Sequence, residues 1–206
     1  MKYSLSFTAA SLAANETQII SKIYLEEREW DIVKRKVVDD NILQKGTIAT
    51  RKREFAEIKK RISNLNEEEL KFFVSSIGDE LKHIALLSVY KTYRFIFDFA
   101  VEVIRRKYLL FDYEILDSDY EKFFESKKLA YEKLNTISQK TCYKIKQVSF
   151  KIFEQAGILD SVKTKNIKKP YLSNNLIEII VKDDPKYLKG FLYSDQDIDE
   201  AIKRIK

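Results

Sequence analysis

The sequence predicts an all-α protein, and three observations carry that expectation. Four glycines and two prolines in 206 residues are very few, because strands joined by tight turns need many of both. The stretch from Asp79 to Ala156 holds neither, and its apolar residues recur mostly at three- and four-residue steps, the period of an amphipathic helix. Apolar residues supply 45% of the chain and aromatics 13%, enough for a real core and too many for a disordered polymer. The expectation is a compact multi-helix globular fold with helix-turn-helix-like elements around a buried central helix. A three-helix unit over residues 1–64 and a helical bundle over 65–206 would form one globular body.

The first helix is expected near Asn15 and Thr17, both capping residues, and carries Ile19, Ile20, Ile23, Tyr24 and Leu25. The second runs from about Glu29 through Trp30, Val33 and Val37. After the connection from Asp39 to Gly46, Thr47 offers its hydroxyl to the first free amides of a third helix whose apolar positions are Ile48, Phe55, Ile58 and Ile62. Two helices and a compact turn make the helix-turn-helix pattern. This connection is longer than the ~3 to 4 residues of the strict motif, and ordinary helical hairpins share the arrangement. The segment from Asp79 to Lys107 is greasy nearly all round and is expected as one central helix. An acidic run from Asp112 to Glu125 then forms an exposed connection, with Asp117 or Ser118 as the next cap.

A helix over 138–156 sets Cys142, Ile145, Ser149, Ile152 and Ala156 on one stripe and stops at Gly157, where left-handed backbone is easy. Beyond it Lys163, Lys165, Lys168 and Lys169 lead into Pro170 as a mobile or wing-like basic segment. Short helices are expected over 172–181, 185–192 and 195–205. Short strands at Tyr3 to Phe7 or around Tyr171 rest on alternation alone.

The net charge of +6 is segregated: seven cations face two acids between Lys45 and Ile62, a local +5, and eight lysines face two acids between Ser138 and Lys169, a local +6. On the third helix Thr50, Arg53 and Lys60 fall opposite the apolar stripe, and Lys52 and Lys59 lie at its margin, where long stems cover apolar surface. Arg51 points near the middle of the stripe and is expected to pair with a carboxylate, since an unpaired buried guanidinium is very costly. In the later helix Lys140, Lys144, Gln147 and Lys151 form one line. Such rows suit double-stranded DNA, because neutralising phosphates releases condensed counterions and gives sequence-independent affinity. Thr47, Thr50 and Arg53 stand at the front of a helix, where a recognition helix carries its base contacts. A solvated face on an all-helical protein explains the same charge equally well.

Several chemistries are excluded or unsupported. Four scattered glycines cannot make a glycine-rich phosphate loop. The single Cys142 has no disulfide partner, and with the single His83 it cannot supply the four ligands of structural zinc. Both residues are expected in packing roles. The acid pairs Asp39–Asp40 and Asp183–Asp184 stand at helix ends, where caps and dipoles account for them. No catalytic residue, metal or cofactor is expected. The most apolar segment, Phe95 to Ile104, carries Asp98 and Glu102 and falls short of the ~20 residues that cross a bilayer. Met1 to Asn15 lacks the continuous apolar stretch of a signal peptide, so a cytoplasmic protein without membrane contact is expected.

The sequence also resembles the BrxA family of bacteriophage exclusion (BREX) systems. The resemblance lies in the order and spacing of Tyr3 to Ala9, Trp30–Asp31, Asn41 to Gln44 followed by Thr47, Glu57–Ile58, Arg61–Ile62, Phe99 to Val103 and Gln155 to Leu159. It implies an all-helical, non-enzymatic component of a phage-defence system that marks host DNA by methylation and blocks replication of unmarked phage DNA. It further implies duplex DNA binding through helix-turn-helix elements beside positive patches, carried here by Thr47, Thr50, Lys52 and Arg53 and by Lys140, Lys144 and Lys151. Gly46 departs from the bulkier or basic residue expected just ahead of the helix. Lys60, Lys165, Lys168 and Lys169 complete the candidate DNA-binding set, and other BREX components such as the methyltransferase are the implied protein partners. Two further readings use the same charge: an adaptor docking on acidic protein surfaces, and a helical RNA-binding protein.

Overall fold

The computed structural model describes residues 3–205, the Lys133 side chain excepted. Among them no strand forms, and pairing of extended backbone is limited to isolated bridges at Glu114–Asn166 and Leu159–Ile167. A 3-10 turn at Ser6–Ala9 precedes α1 (Ala14–Glu27), and α2 (Trp30–Lys34) runs on through a π-helical turn at Arg35–Asp39. Then come α3 (Ile48–Ile62), α4 (Glu67–Ser75), α5 (Gly78–Thr92) and α6 (Arg94–Phe99), the last continuing through a π-helical turn at Ala100–Arg105 into α7 (Arg106–Leu109). The remaining helices are α8 (Asp117–Ala130), α9 (Gln139–Gln155), α10 (Asn174–Asp183) and α11 (Asp195–Ile205), with 3-10 turns at Glu132–Thr136 and Pro185–Phe191.

Local chemistry accounts for many of these boundaries. Asn66 and Glu69 close a reciprocal capping box on α4, at 2.9 and 2.7 Å. Ser173 caps α10, and Gly157 (φ 76°) takes up the left-handed turn after α9. Other expected starts differ. α1 begins after Ala13 in left-handed backbone, and Thr17 bonds back to the Ala13 carbonyl rather than capping an amide. Neither Asp117 nor Ser118 caps α8; Asp119 does, accepting the Leu116 amide at 2.8 Å. The Tyr3–Phe7 region gives a 3-10 turn rather than a strand, because Phe7 is drawn wholly into the core.

Apolar burial falls into two clusters. The smaller joins Ile20 of α1, Val33, Val37 and Val38 of the second helical stretch, Phe55, Ile58 and Ile62 of α3, and Leu70 of α4. The larger is built from α5, α6, α8, α9 and α10, and it also takes Phe7 and Leu12 from the N-terminal segment. Leu65 packs against both. The expected single central helix is broken at Tyr93, which is extended (φ −125°, ψ 94°) between α5 and α6. Neither glycine nor proline marks the break; the Tyr93 hydroxyl is committed to Glu57 at 2.5 Å and shares a 3.2 Å bond with Ser6. Burial and the Glu57 carboxylate hold that phenol well above its ordinary pKa.

Glu57 in turn accepts from Arg61, 0% exposed, at 2.9 Å, and the Arg61 guanidinium also donates to the carbonyls of Ala10, Ser11 and Leu12. Three of these four bonds tie the fully buried guanidinium of α3 to the chain's N-terminal segment, and the fourth stays within the helix. Gly190 has no room for a side chain, since a Cβ there would lie 2.5 Å from the Tyr90 ring, whose hydroxyl donates to the Gly190 carbonyl at 2.8 Å. Arg61→Ala, which strands Glu57 and three carbonyls, is expected to cost about 3 to 5 kcal/mol, and Gly190→Ala about 1 to 3 kcal/mol through overpacking. Urea denaturation measures both.

Candidate nucleic-acid interface

Thr47 caps α3 as expected: its hydroxyl accepts the Thr50 amide at 3.3 Å and shares a 3.1 Å bond with the Thr50 hydroxyl. Thr47, Thr50, Lys52, Arg53 and Lys60 are all exposed, so the face opposite the apolar stripe is where helical spacing sets it. Arg53 and Lys60 lie two turns apart, about 10 Å along the axis. Ile48 is 55% exposed instead of lining the core, because it sits two turns ahead of Phe55, past the end of the smaller cluster.

The seven cations of this stretch do not share one fate. Lys45 pairs with Glu16 at 2.6 Å, and Lys59 covers the Trp30 ring at 4.9 Å. Lys60 lies over the Tyr93 ring at 4.7 Å and donates to Ser6 at 3.0 Å. Arg51 corrects its expectation: it donates to the Val38 carbonyl at 2.6 Å rather than to a carboxylate, because the end of the π-helical turn leaves that carbonyl free. With Arg61 buried, Lys52 and Arg53 alone in this stretch carry charge without a partner among the described residues.

α9 repeats the design. Its cap Ser138 accepts the Thr141 amide at 3.2 Å and shares a 2.9 Å bond with the Thr141 hydroxyl. Lys140, Lys144, Gln147 and Lys151 are exposed along one line, while Ile145, Ser149, Ile152 and Ala156 are buried. Lys151 pairs with Glu154 at 2.5 Å, and Lys144 bonds the Gln147 amide oxygen at 3.1 Å. Ser138, Thr141 and the 69%-exposed Tyr143 were not singled out from the sequence as candidates; the hydroxyl pair three residues apart, ahead of lysines as in α3, is the signal that finds them.

α3 and α9 both pack against the Ser6–Ala9 turn. Between them a groove of about 690 Å³ is lined by residues 8–11, Glu54 of α3, and Tyr143, Lys144, Gln147 and Lys151 of α9. Its far side is acidic as well as basic: Asp117 meets Lys165 at 2.9 Å and Lys146 at 3.2 Å, and Lys165 chiefly holds that carboxyl below its usual range. The acidic run after α7 is mostly exposed as expected, but from Asp117 on it forms the start of α8, and it pairs with lysines of the same chain.

Nor is the 163–169 segment a wing. The Lys165 carbonyl accepts the Ile115 amide at 3.1 Å, and Ile167 and Lys168 donate to Tyr113 and Ile158 at 2.7 and 2.8 Å. Asp160 organises the loop by accepting from Asn166, Thr164 and the Ser161 amide, bonds that bring its carboxyl from 3.8 down to about 2. Lys165 is half-buried, Lys169 pairs with Asp197 at 3.1 Å, and Lys163 and Lys168 remain exposed.

His83 is buried edge-on to Phe191, and burial pushes its imidazole below the ordinary range. Cys142 is half-buried against the larger core. Among the described residues no group of His, Cys, Asp and Glu could hold a metal ion, and no helix is long and apolar enough to cross a membrane.

An all-α body presenting two basic helix starts beside a common turn defines the class of molecule. The chain belongs to the BrxA family, whose model matches residues 1–184, and is thereby a component of BREX phage defence. It is 31% identical over 153 residues to a BREX protein BrxA of Bacillus cereus (strain H3081.97), covering 72% of this chain and 74% of that one. A BREX protein BrxA of Escherichia coli O9:H4 (strain HS) is 21% identical over 161 residues, covering 78% and 76%. In fold the chain matches the crystal structure of an uncharacterized protein from Magnetospirillum magneticum, with a TM-score of 0.83 and 17% identity over 93% of this chain and 98% of that one.

Because the folded Asp160 pKa lies below its unfolded value, the bonds it accepts are at full strength above pH ~4 and fade as pH falls through about 2. Protection of the Ser161 and Asn166 amides, taken relative to the free-chain exchange rate at each pH, is expected to fall over that window. Asp160→Asn should remove the pH dependence and leave both amides weakly protected throughout.

Proposed function

We propose that this BREX component is a non-enzymatic protein that binds double-stranded DNA, chiefly through the phosphate backbone. One observation carries the reading: α3 and α9 begin alike and rest on the same short turn. Each has a hydroxyl cap, a second hydroxyl three residues on, and two cations without an ion-pair partner among the described residues, Lys52 with Arg53 and Lys140 with Lys144. A helix start offers free amides and the positive end of its dipole to an anion, and flanking lysines and arginines extend that field along a phosphate strand. Thr47 and Thr50 stand where hydroxyls reach phosphates or base edges.

Lys60 supports the first helix from farther along its exposed face, and Lys151 does the same for the second. Lys168 has no ion-pair partner among the described residues, whereas Lys165 and Lys169 are paired with Asp117 and Asp197 and add correspondingly less field toward DNA. Other BREX components, the methyltransferase among them, are the protein partners we assign alongside DNA.

Mobility shifts with duplex DNA, single strands and structured RNA, run across a salt series, test the reading. Duplex DNA should bind best, with log affinity falling about one unit per log of salt for each phosphate contacted. Replacing Lys52 and Arg53 by alanine, or Lys140 and Lys144, should lower that slope by about two without shifting the melting temperature. A flat salt titration or a preference for RNA would reject it, and a protein partner that survives nuclease treatment in its place would favour the adaptor.

A further inference from the structure

A second surface owes nothing to the basic helices. Between the α6–α7 stretch and α8 lies a groove of about 890 Å³, whose apolar wall includes Val103, Leu109, Leu110 and Phe123. Leu110 is 67% exposed and the next residue, Phe111, 80%. Phe111 holds left-handed backbone (φ 62°), a conformation costly for a bulky side chain, while adding nothing to the core. The turn that displays these two residues is fixed: the Phe111 amide donates to Tyr108 and the Asp112 amide to Lys107, both at 3.0 Å, and the Lys107 ammonium grips Asp112 at 2.6 Å. Strain retained in a rigid, solvent-facing apolar turn points to a docking function.

Charge identifies the occupant. Of the ionic groups lining the groove, Glu102 is held by Lys127 at 2.6 Å, Arg105 by Asp195 at 3.1 Å, and Lys107 by Asp112 and by Asp119 at 3.2 Å. Arg106 and Lys122 are exposed and have no partner among the described residues. The groove therefore offers apolar surface flanked by two uncompensated cations.

We propose that it receives an acidic amphipathic helix of another protein, apolar side against Leu109, Leu110 and Phe123, carboxylates against Arg106 and Lys122. A helix laid between two helices is an established recognition geometry. A nucleic-acid strand would find no donors along the apolar wall, and a second copy would bring another +6 chain to a site whose lining already carries more cations than acids.

The test places the photo-crosslinking residue p-benzoylphenylalanine at position 110 of the full chain, in cells carrying the complete BREX system. The expected adduct joins a segment of a different protein in which apolar residues at helical spacing are flanked by Asp or Glu. Arg106→Glu combined with Lys122→Glu should reduce it about tenfold or more while leaving the melting temperature unchanged. An adduct with nucleic acid, with a second copy, or with a segment lacking carboxylates overturns the proposal, as does no adduct at all. None of these outcomes depends on whether α3 and α9 bind DNA.

Discussion

The Arg61 guanidinium, wholly enclosed near the end of α3, donates to Glu57 and to three successive backbone carbonyls at Ala10, Ser11 and Leu12. A buried charge left without partners costs several kcal/mol, so the N-terminal segment is held wherever those carbonyls satisfy it. That requirement lays the Ser6–Ala9 turn between α3 and α9. Glu57 hands the constraint on to the Tyr93 hydroxyl, which fixes the point at which the central helical stretch changes direction. One side-chain network thus joins the smaller apolar cluster, the N-terminal segment and the larger core.

The same geometry decides what the positive charge can do. Two short stretches hold fifteen of the chain's cations, and most of them are spent internally: on Glu16, on Glu57, on Asp117, on Glu154, on Asp197, on a carbonyl, or on an aromatic face. Those left over among the described residues gather in the first two turns of α3 and α9 and in the loop after α9. An interface of this kind acts through a few unpaired charges at helix starts, where amides and dipoles add to them, rather than through a broad basic surface. The apolar groove beside α8 differs in kind, having little to offer a phosphate and much to offer a hydrophobic side chain.

Local signals in the sequence held for several elements whose deciding contacts lie within a turn or two of chain, although the α8 cap fell to Asp119 rather than to Asp117 or Ser118. The α3 cap at Thr47, the α9 stripe and its stop at Gly157, the outward row of Thr50, Arg53 and Lys60, and the span of α11 all follow from helical periodicity and from hydroxyl or glycine chemistry. The break at Tyr93, the left-handed start at Ala13 and the pinned loop at 160–168 carry no such signal. The first and the last are set by partners far along the chain: Ser6 and Glu57 for Tyr93, Tyr113 and Ile115 for the loop. The hydroxyl cap of α3 was legible on its own, but the matching Ser138–Thr141 pair of α9 and the support both starts share on the Ser6–Ala9 turn were not.

By itself, then, the sequence determined the helical class, the amphipathic faces and the two places where cations concentrate, because propensity, period and capping act over neighbouring residues. Only the tertiary structure decided which of those cations stay unpaired, where the central stretch bends and which apolar residues stay in water. Those outcomes depend on which acids, carbonyls and rings the fold brings within a few ångströms of each side chain, and spacing along the chain does not encode that.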